Sequence, residues 1–287
     1  MKKGVTKWCL LFSVPSILLF GSLFPQEKSK PFSSSTSSVL GSPGTSIFQV
    51  GETLEYEVGY AFIKLGKIKM EIVSREERNG QVVYKCRAAI DSSPGIPFVN
   101  LHIRYESDIT ESFYTLYFKE VNVGTKELVI KEFWFDYSQN ACKRKFTKLD
   151  NNRKRVVYLE DTIPITDRVQ DGASLFYFAR GNFSPARSVS VPTVVDKEQE
   201  NTHFNFKDEA QEVKIDVLDY PVAVSYFDGK AEFVGIYGLT GAFRGWFSND
   251  QAGIPIKARM NVFIGSVYVE LLRWHRPEWA PPRGGRS

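Results

Sequence analysis

The sequence predicts an all-β fold: one large, strongly curved antiparallel sheet or incomplete β-barrel, with one short helix packed against it. Three observations lead there. Apolar and polar residues alternate with a period of two along most of 48–275, the pattern of strands with one buried and one wet face. Aromatic residues are abundant, with 22 Phe, 13 Tyr and 5 Trp, and flat, stiff rings pack well on a pleated surface. One segment, 169–181, breaks the alternation and reads as a helix.

In chain order, GETLEYEVGYAFIKLGKIKMEI (51–72) opens the domain. Leu54, Tyr56, Val58 and Tyr60 take one side and Glu55 and Glu57 the other. A turn is expected near Lys64–Gly66, after which Ile68, Met70 and Ile72 resume the apolar side. Val82, Tyr84, Cys86, Ala88 and Ile90 repeat the rhythm, then Leu101, Ile103, Tyr105, Ser107 and Ile109, and later Ile254, Ile256, Ala258, Met260 and Val262. About a dozen such strands make a sheet wide enough that it must curl, split or close. In VQDGASLFYFARG (169–181), Asp171 is placed to cap the helix, Leu175, Phe178 and Ala179 to face inward, and Gly181 to follow its end.

The flanks differ. Residues 1–25, MKKGVTK followed by WCLLFSVPSILLFGSLF and Pro25, have the basic-then-apolar order of an export signal, cleaved or kept as an inner-membrane anchor. Residues 26–47 are Ser-, Gly- and Pro-rich, a linker with too little apolar surface to order itself. Residues 276–287 read as a C-terminal tail. The expected location is therefore the periplasm or cell envelope. The net charge is +4, but Lys2, Lys3 and Lys7 belong to the leader, and without them the chain is close to neutral. That removes the basic field a nucleic-acid binder uses. In an oxidising compartment Cys86 and Cys142 either pair as a disulfide or sit as two separate buried thiols. No CxxC, Cys/His cluster, HExxH, GxSxG, phosphate-binding loop or GxGxxG occurs, so no metal or cofactor is expected.

Three pieces together resemble a family of exported bacterial proteins known as domain of unknown function 3108. They are the GE-x-L-x-Y opening (Gly51, Glu52, Leu54, Tyr56), the helix D-x-x-S-x-x-Y-x-x-R (Asp171, Ser174, Tyr177, Arg180), and a closing W-x-S-x-D-x-x-x-x-P (Trp246, Ser248, Asp250, Pro255) followed by G-S-x-x-x-E-L (Gly265, Ser266, Glu270, Leu271). The resemblance spans about 48–273 and implies a fold and an envelope location, with no activity to carry over.

Each remaining polar feature has two readings. Arg180 and Tyr177 either tie the helix to nearby carboxylates and carbonyls or grip a ligand's carboxylate or phosphate. Asp250, in the turn-forming string SNDQAG, either makes a turn or sits with Trp246 at a mouth, holding a polar head group. The basic run 142–158, with Lys143, Arg144, Lys145, Lys148, Arg153, Lys154 and Arg155, is either a charged sheet edge or a contact for anionic lipid head groups. His102, His203 and His275 stand alone. The functional expectation is a non-enzymatic envelope protein binding an apolar or amphipathic ligand, such as a lipid, or an envelope protein partner, on its concave face. The rivals are a structural protein with a filled core and a hydrolase with a cryptic site.

Overall fold

A computed structural model describes residues 47–96, 100–124, 128–149, 154–196, 198–234, 240–261 and 265–285. The export segment with Cys9, most of the Ser-rich linker, and Arg153 lie outside the described residues. Fourteen strands and one helix make up the described chain. They are β1 (Thr53–Tyr60), β2 (Ile63–Arg78), β3 (Gln81–Ser92), β4 (His102–Thr110), β5 (Thr115–Asn122), β6 (Leu128–Asp136), β7 (Ala141–Leu149) and β8 (Arg155–Pro164); then α1 (Ser174–Asn182); then β9 (Arg187–Val195), β10 (Glu198–Val213), β11 (Val222–Val234), β12 (Thr240–Ser248), β13 (Pro255–Asn261) and β14 (Ser266–His275).

All fourteen strands join one antiparallel sheet in the order β8-β7-β6-β5-β4-β3-β2-β1-β14-β13-β12-β11-β10-β9. The chain thus builds two meanders that meet where β1 pairs β14, Leu54 opposite Trp274. The sheet does not close, since β8 and β9 are its ends, yet it curls far enough for its two arms to face each other. Val194 of β9 packs with Phe118, Phe133 and Phe146 from β5, β6 and β7. Lys131 of β6 pairs with Asp196 beyond β9. The alternation read from the sequence produces this: Leu54, Tyr56, Met70, Ile72, Tyr84, Cys86 and Ile109 are all buried on the inner side.

Local details depart from expectation. The first hairpin turns at Ala61–Phe62, with Ala61 at φ 51°, not at Lys64–Gly66. Gly66 lies inside β2, where a Cβ would come 2.3 Å from the Asp91 carbonyl oxygen; the glycine serves close strand approach instead. The helix begins at Ser174, because Asp171 caps the turn before it: its Oδ1 accepts from the Ala173 and Ser174 N–H groups at 2.6 and 2.9 Å. Gly181 lies within the helix, where the Phe113 ring would meet any Cβ at 2.1 Å. The stretch after 275, expected as a tail, packs onto the sheet. Trp279 stacks edge-on against Trp274, and the Ala223 N–H donates to the Pro282 carbonyl.

Candidate functional site

α1 closes one end of the curled sheet. It is anchored there by Arg180, which is fully buried and forks onto Glu52: Nη1 donates to Oε1 at 2.6 Å and Nη2 to Oε2 at 3.1 Å. Nη2 also reaches the Ala252 carbonyl at 3.1 Å, in the turn between β12 and β13. Arg276 donates to the same Glu52 carboxylate from the C-terminal stretch. One ion cluster therefore joins the residue preceding β1, the helix, the β12–β13 turn and the chain's end. Burial works against the Arg180 charge, but Glu52 more than offsets it and raises the guanidinium further.

The other motif residues lie at this closed end too. Asp171 is completely buried and accepts from Ser107 Oγ (2.5 Å) and Thr115 Oγ1 (2.7 Å), so β4 and β5 are tied to the helix entry. Burial raises its carboxyl above the usual range, with these hydroxyls and the N–H donors pulling the other way. Tyr177 is buried between Phe48 and Phe176, with its hydroxyl on the Cys86 thiol. Asp250 organises its turn, accepting from Ser248 Oγ, Ala252 N and Gly253 N, and its second oxygen takes Trp279 Nε1 at 2.8 Å. Trp246 donates to Gln211 at 2.8 Å. Of the two readings open for Arg180, Tyr177, Asp250 and Trp246, a tie within the fold or a grip on a ligand, the contacts the structure shows are ties within the fold. Each is engaged by the fold, and none lines the cavity described next.

That cavity, about 660 Å³, lies between α1 and the inner face of the sheet. Its floor is Ala173, Phe176 and Ala179 from the helix side, with Tyr56 and Phe247; its walls include Met70, Tyr105, Phe133, Phe204, Ala258 and Val269. It extends to the opposite rim, where Ile90, Leu101, Asn122 and Asn261 sit at strand ends. The described β1–β2 turn on that rim presents Phe62, 91% exposed. The Tyr56 hydroxyl is buried without a hydrogen-bond partner among the described residues. The charged residues of the cavity wall are Lys257 and the group Glu120, Lys131 and Asp196. Lys131 Nζ lies 3.2 Å from Glu120 and also holds Asp196. Burial raises the Glu120 carboxyl, with Lys131 opposing. Sequence reasoning passed over Glu120 and Lys131; the signal was a charge at inward positions, Phe118-x-Glu120 and Lys131-x-Phe133.

The basic run divides by face. Arg144, 4% exposed, turns inward and is held by Asp161 at 2.6 and 2.9 Å, which corrects its assignment to a surface. Lys143 and Lys145 point outward onto Glu160 at 3.1 and 3.6 Å. Lys148 lies over the Tyr158 ring, while Lys154 and Arg155 are exposed. The acids that partner the run, Glu160 and Asp161, follow just beyond its last residue.

Cys86 and Cys142 are free, buried thiols in separate core clusters, so the disulfide alternative gives way to the other. Burial pushes the Cys142 thiol up to about 12, and the Cys86 thiol also rises. Because the thiolate is the nucleophile, a maleimide reagent at pH 8 is expected to label neither cysteine in the folded domain and both in guanidinium. Intact-mass spectrometry reads the result. Rapid labelling of the native protein would contradict the burial.

Among the described residues, no three His, Cys, Asp or Glu side chains gather as a metal site would require. His102 meets Asp91 at 2.8 Å in a half-buried pair and His203 meets Glu232 at 2.9 Å in an exposed one.

The family described as protein of unknown function (DUF3108) matches residues 55–272. No curated protein matches the chain. Among solved structures, a β-barrel-like protein of domain of unknown function DUF1849 from Brucella abortus is similar at 13% identity and TM-score 0.49, over 79% of this chain and 97% of that one. A protein with a YmcC-like fold from Bacteroides fragilis is similar at 7% identity and TM-score 0.35, over the same shares.

Proposed function

The chain belongs to the DUF3108 family of proteins of unknown function, and we propose that it is a non-enzymatic, exported envelope protein that holds one acyl-chain ligand in the cavity beneath α1. The observation that carries this reading is the cavity itself. Its 660 Å³ lies within the range of roughly 300–1,000 Å³ found for small-molecule sites. Its wall is aliphatic and aromatic apart from a few polar groups, and an alkyl chain gains about 0.8 kcal/mol for each methylene it buries there. A structural protein with a filled interior would have no use for such a space. The ligand's head belongs at the rim, beside Asn122, Asn261 and the Glu120–Lys131–Asp196 cluster, because the floor is apolar and neither Arg180 nor Glu52 lines the cavity. The envelope location rests on the basic-then-apolar order of the first 25 residues.

Titration of the full chain with a polarity-sensitive fluorescent fatty acid tests this reading. Saturable binding of one probe per chain is expected, with a Kd of micromolar or tighter. Ala258→Trp, which projects an indole into the cavity, is expected to weaken binding at least about tenfold, or roughly 1.4 kcal/mol, without lowering the unfolding temperature. Binding that does not saturate, or that Ala258→Trp leaves unchanged while the variant stays folded, would overturn the proposal.

A further inference from the structure

The two ends of the curled sheet differ in their turns. At the end closed by α1, the β2–β3, β6–β7 and β12–β13 turns are polar, with Asn79–Gly80, Ser138–Gln139–Asn140 and Asn249–Asp250–Gln251 at their tips. At the other end, where the cavity reaches Leu101, Asn122 and Asn261, the β1–β2 turn carries Phe62 and then Ile63, 91% and 42% exposed. Val123, which follows β5 on the same rim, is 44% exposed. A phenyl ring held in water at a hairpin tip gains nothing for the fold, so its gain lies in whatever covers it.

A hollow of about 560 Å³ lies on the outer face of the sheet just behind this rim. It is bordered by Ser92, Ser93 and Pro94, where β3 ends, and by Gly66 and Ala89. Four basic side chains, Lys67, Lys69, Arg104 and Arg273, line it against two acidic ones, Glu55 and Asp91. Lys69, Ala89 and Arg104 are successive cross-strand partners on β2, β3 and β4. The small Ala89 therefore leaves a cation on either side of a gap two strand spacings wide, about 10 Å, which is room for a phosphate between them. Arg104 holds Asp91 at 2.9 Å and Lys69 holds Glu71, while Lys67 and Arg273 form no ion pair among the described residues.

We propose that this rim is a membrane-docking edge: Phe62 and Ile63 enter the boundary between head groups and acyl chains of a bilayer, and the basic hollow behind them takes the phosphate of an anionic phospholipid. Size and charge favour a bilayer over a protein. A stable protein interface buries about 800 Å² on each partner, far more than a turn tip with two apolar side chains supplies, whereas the same tip is enough to enter a bilayer surface when cations stand behind it. The cavity opens on this rim as well, so a docked chain presents its mouth to the acyl chains it takes up. That last point rests on the acyl-chain reading of the cavity; the turn and the hollow do not depend on it.

A fluorophore placed on the turn tests the proposal. Ala61→Cys in a Cys9→Ser chain is labelled with a polarity-sensitive maleimide dye, Cys86 and Cys142 being buried, and is mixed with vesicles of phosphatidylcholine alone or mixed with phosphatidylglycerol. Because the dye reports its own surroundings, a retained leader that tethers the chain does not mimic the signal. A blue shift is expected with the anionic vesicles, reduced in 1 M salt, where the Debye length falls to about 3 Å. The same dye at Asn79→Cys, on the closed end, is expected to stay unchanged. Phe62→Glu is expected to weaken the vesicle titration at least about tenfold, and K67Q/R104Q about thirtyfold on anionic vesicles, with circular dichroism confirming that each variant folds. Ala258→Trp is expected to dock like wild type, so that a failure of fatty-acid binding and a failure of docking are read separately. No shift at position 61, equal shifts at positions 61 and 79, equal response to neutral and anionic vesicles, or folded Phe62→Glu and K67Q/R104Q variants that bind like wild type would each overturn the proposal.

Discussion

Glu52→Ala is expected to destabilise the domain by about 3–5 kcal/mol, because it strands the Arg180 guanidinium in the core. Arg180 is 0% exposed and Glu52 is 1% exposed. Without the carboxylate, the Ala252 carbonyl at 3.1 Å would be its one hydrogen-bond acceptor among the described residues. For a domain of this size, that loss corresponds to a fall in unfolding temperature of about 6–20 °C. Arg276, at the edge of the cluster with 9% of its side chain exposed, can turn toward water, so Arg276→Ala is expected to cost far less. The double replacement Glu52→Leu with Arg180→Met removes both charges together and is expected to recover most of the loss, since a buried pair gains little over well-packed apolar side chains. Urea unfolding of the single and double variants measures this. Equal effects for Glu52→Ala and Arg276→Ala would show that Arg180 is not what the carboxylate holds in place.

Asp171→Ala is expected to cost about 3–4 kcal/mol, from four donors losing their acceptor at roughly 1 kcal/mol each. The donors are Ser107 Oγ, Thr115 Oγ1 and the N–H groups of Ala173 and Ser174. The two hydroxyls can rotate toward other acceptors, but the two N–H groups cannot. Asp171→Asn keeps one oxygen for those N–H groups and is expected to lose about half as much. Thermal unfolding of the two variants gives the comparison, and an Asn variant as unstable as the Ala variant would mean that the hydroxyl contacts dominate.

Much of the fold was legible because its inner face is long and uniform. Leu54 and Tyr56, Met70 and Ile72, and Tyr84 and Cys86 alternate cleanly, and all are buried. The first turn was misplaced because Gly66 reads as a turn residue, whereas the actual corner uses Ala61 and an exposed Phe62, which carry no turn chemistry. The site was less legible, for a physical reason. The residues with the strongest patterning, Asp171, Tyr177, Arg180 and Asp250, build the closed end. They stand out because buried polar groups need specified partners. The cavity is bounded by ordinary residues such as Ala258 and Phe204, each indistinguishable in sequence from solid core; what defines it is space left between two arms of a sheet that meet only after folding. Glu120 and Lys131 were the one local clue, charges on the inward side of strands whose inward neighbours are aromatic.

Native mass spectrometry of the full chain, purified from its own cells without organic solvent, tests the central claim most directly. The account predicts a second species heavier than the bare chain by one acyl-bearing molecule, and loss of that species in Ala258→Trp. A bare chain alone, or an adduct carried equally by wild type and Ala258→Trp, would contradict it.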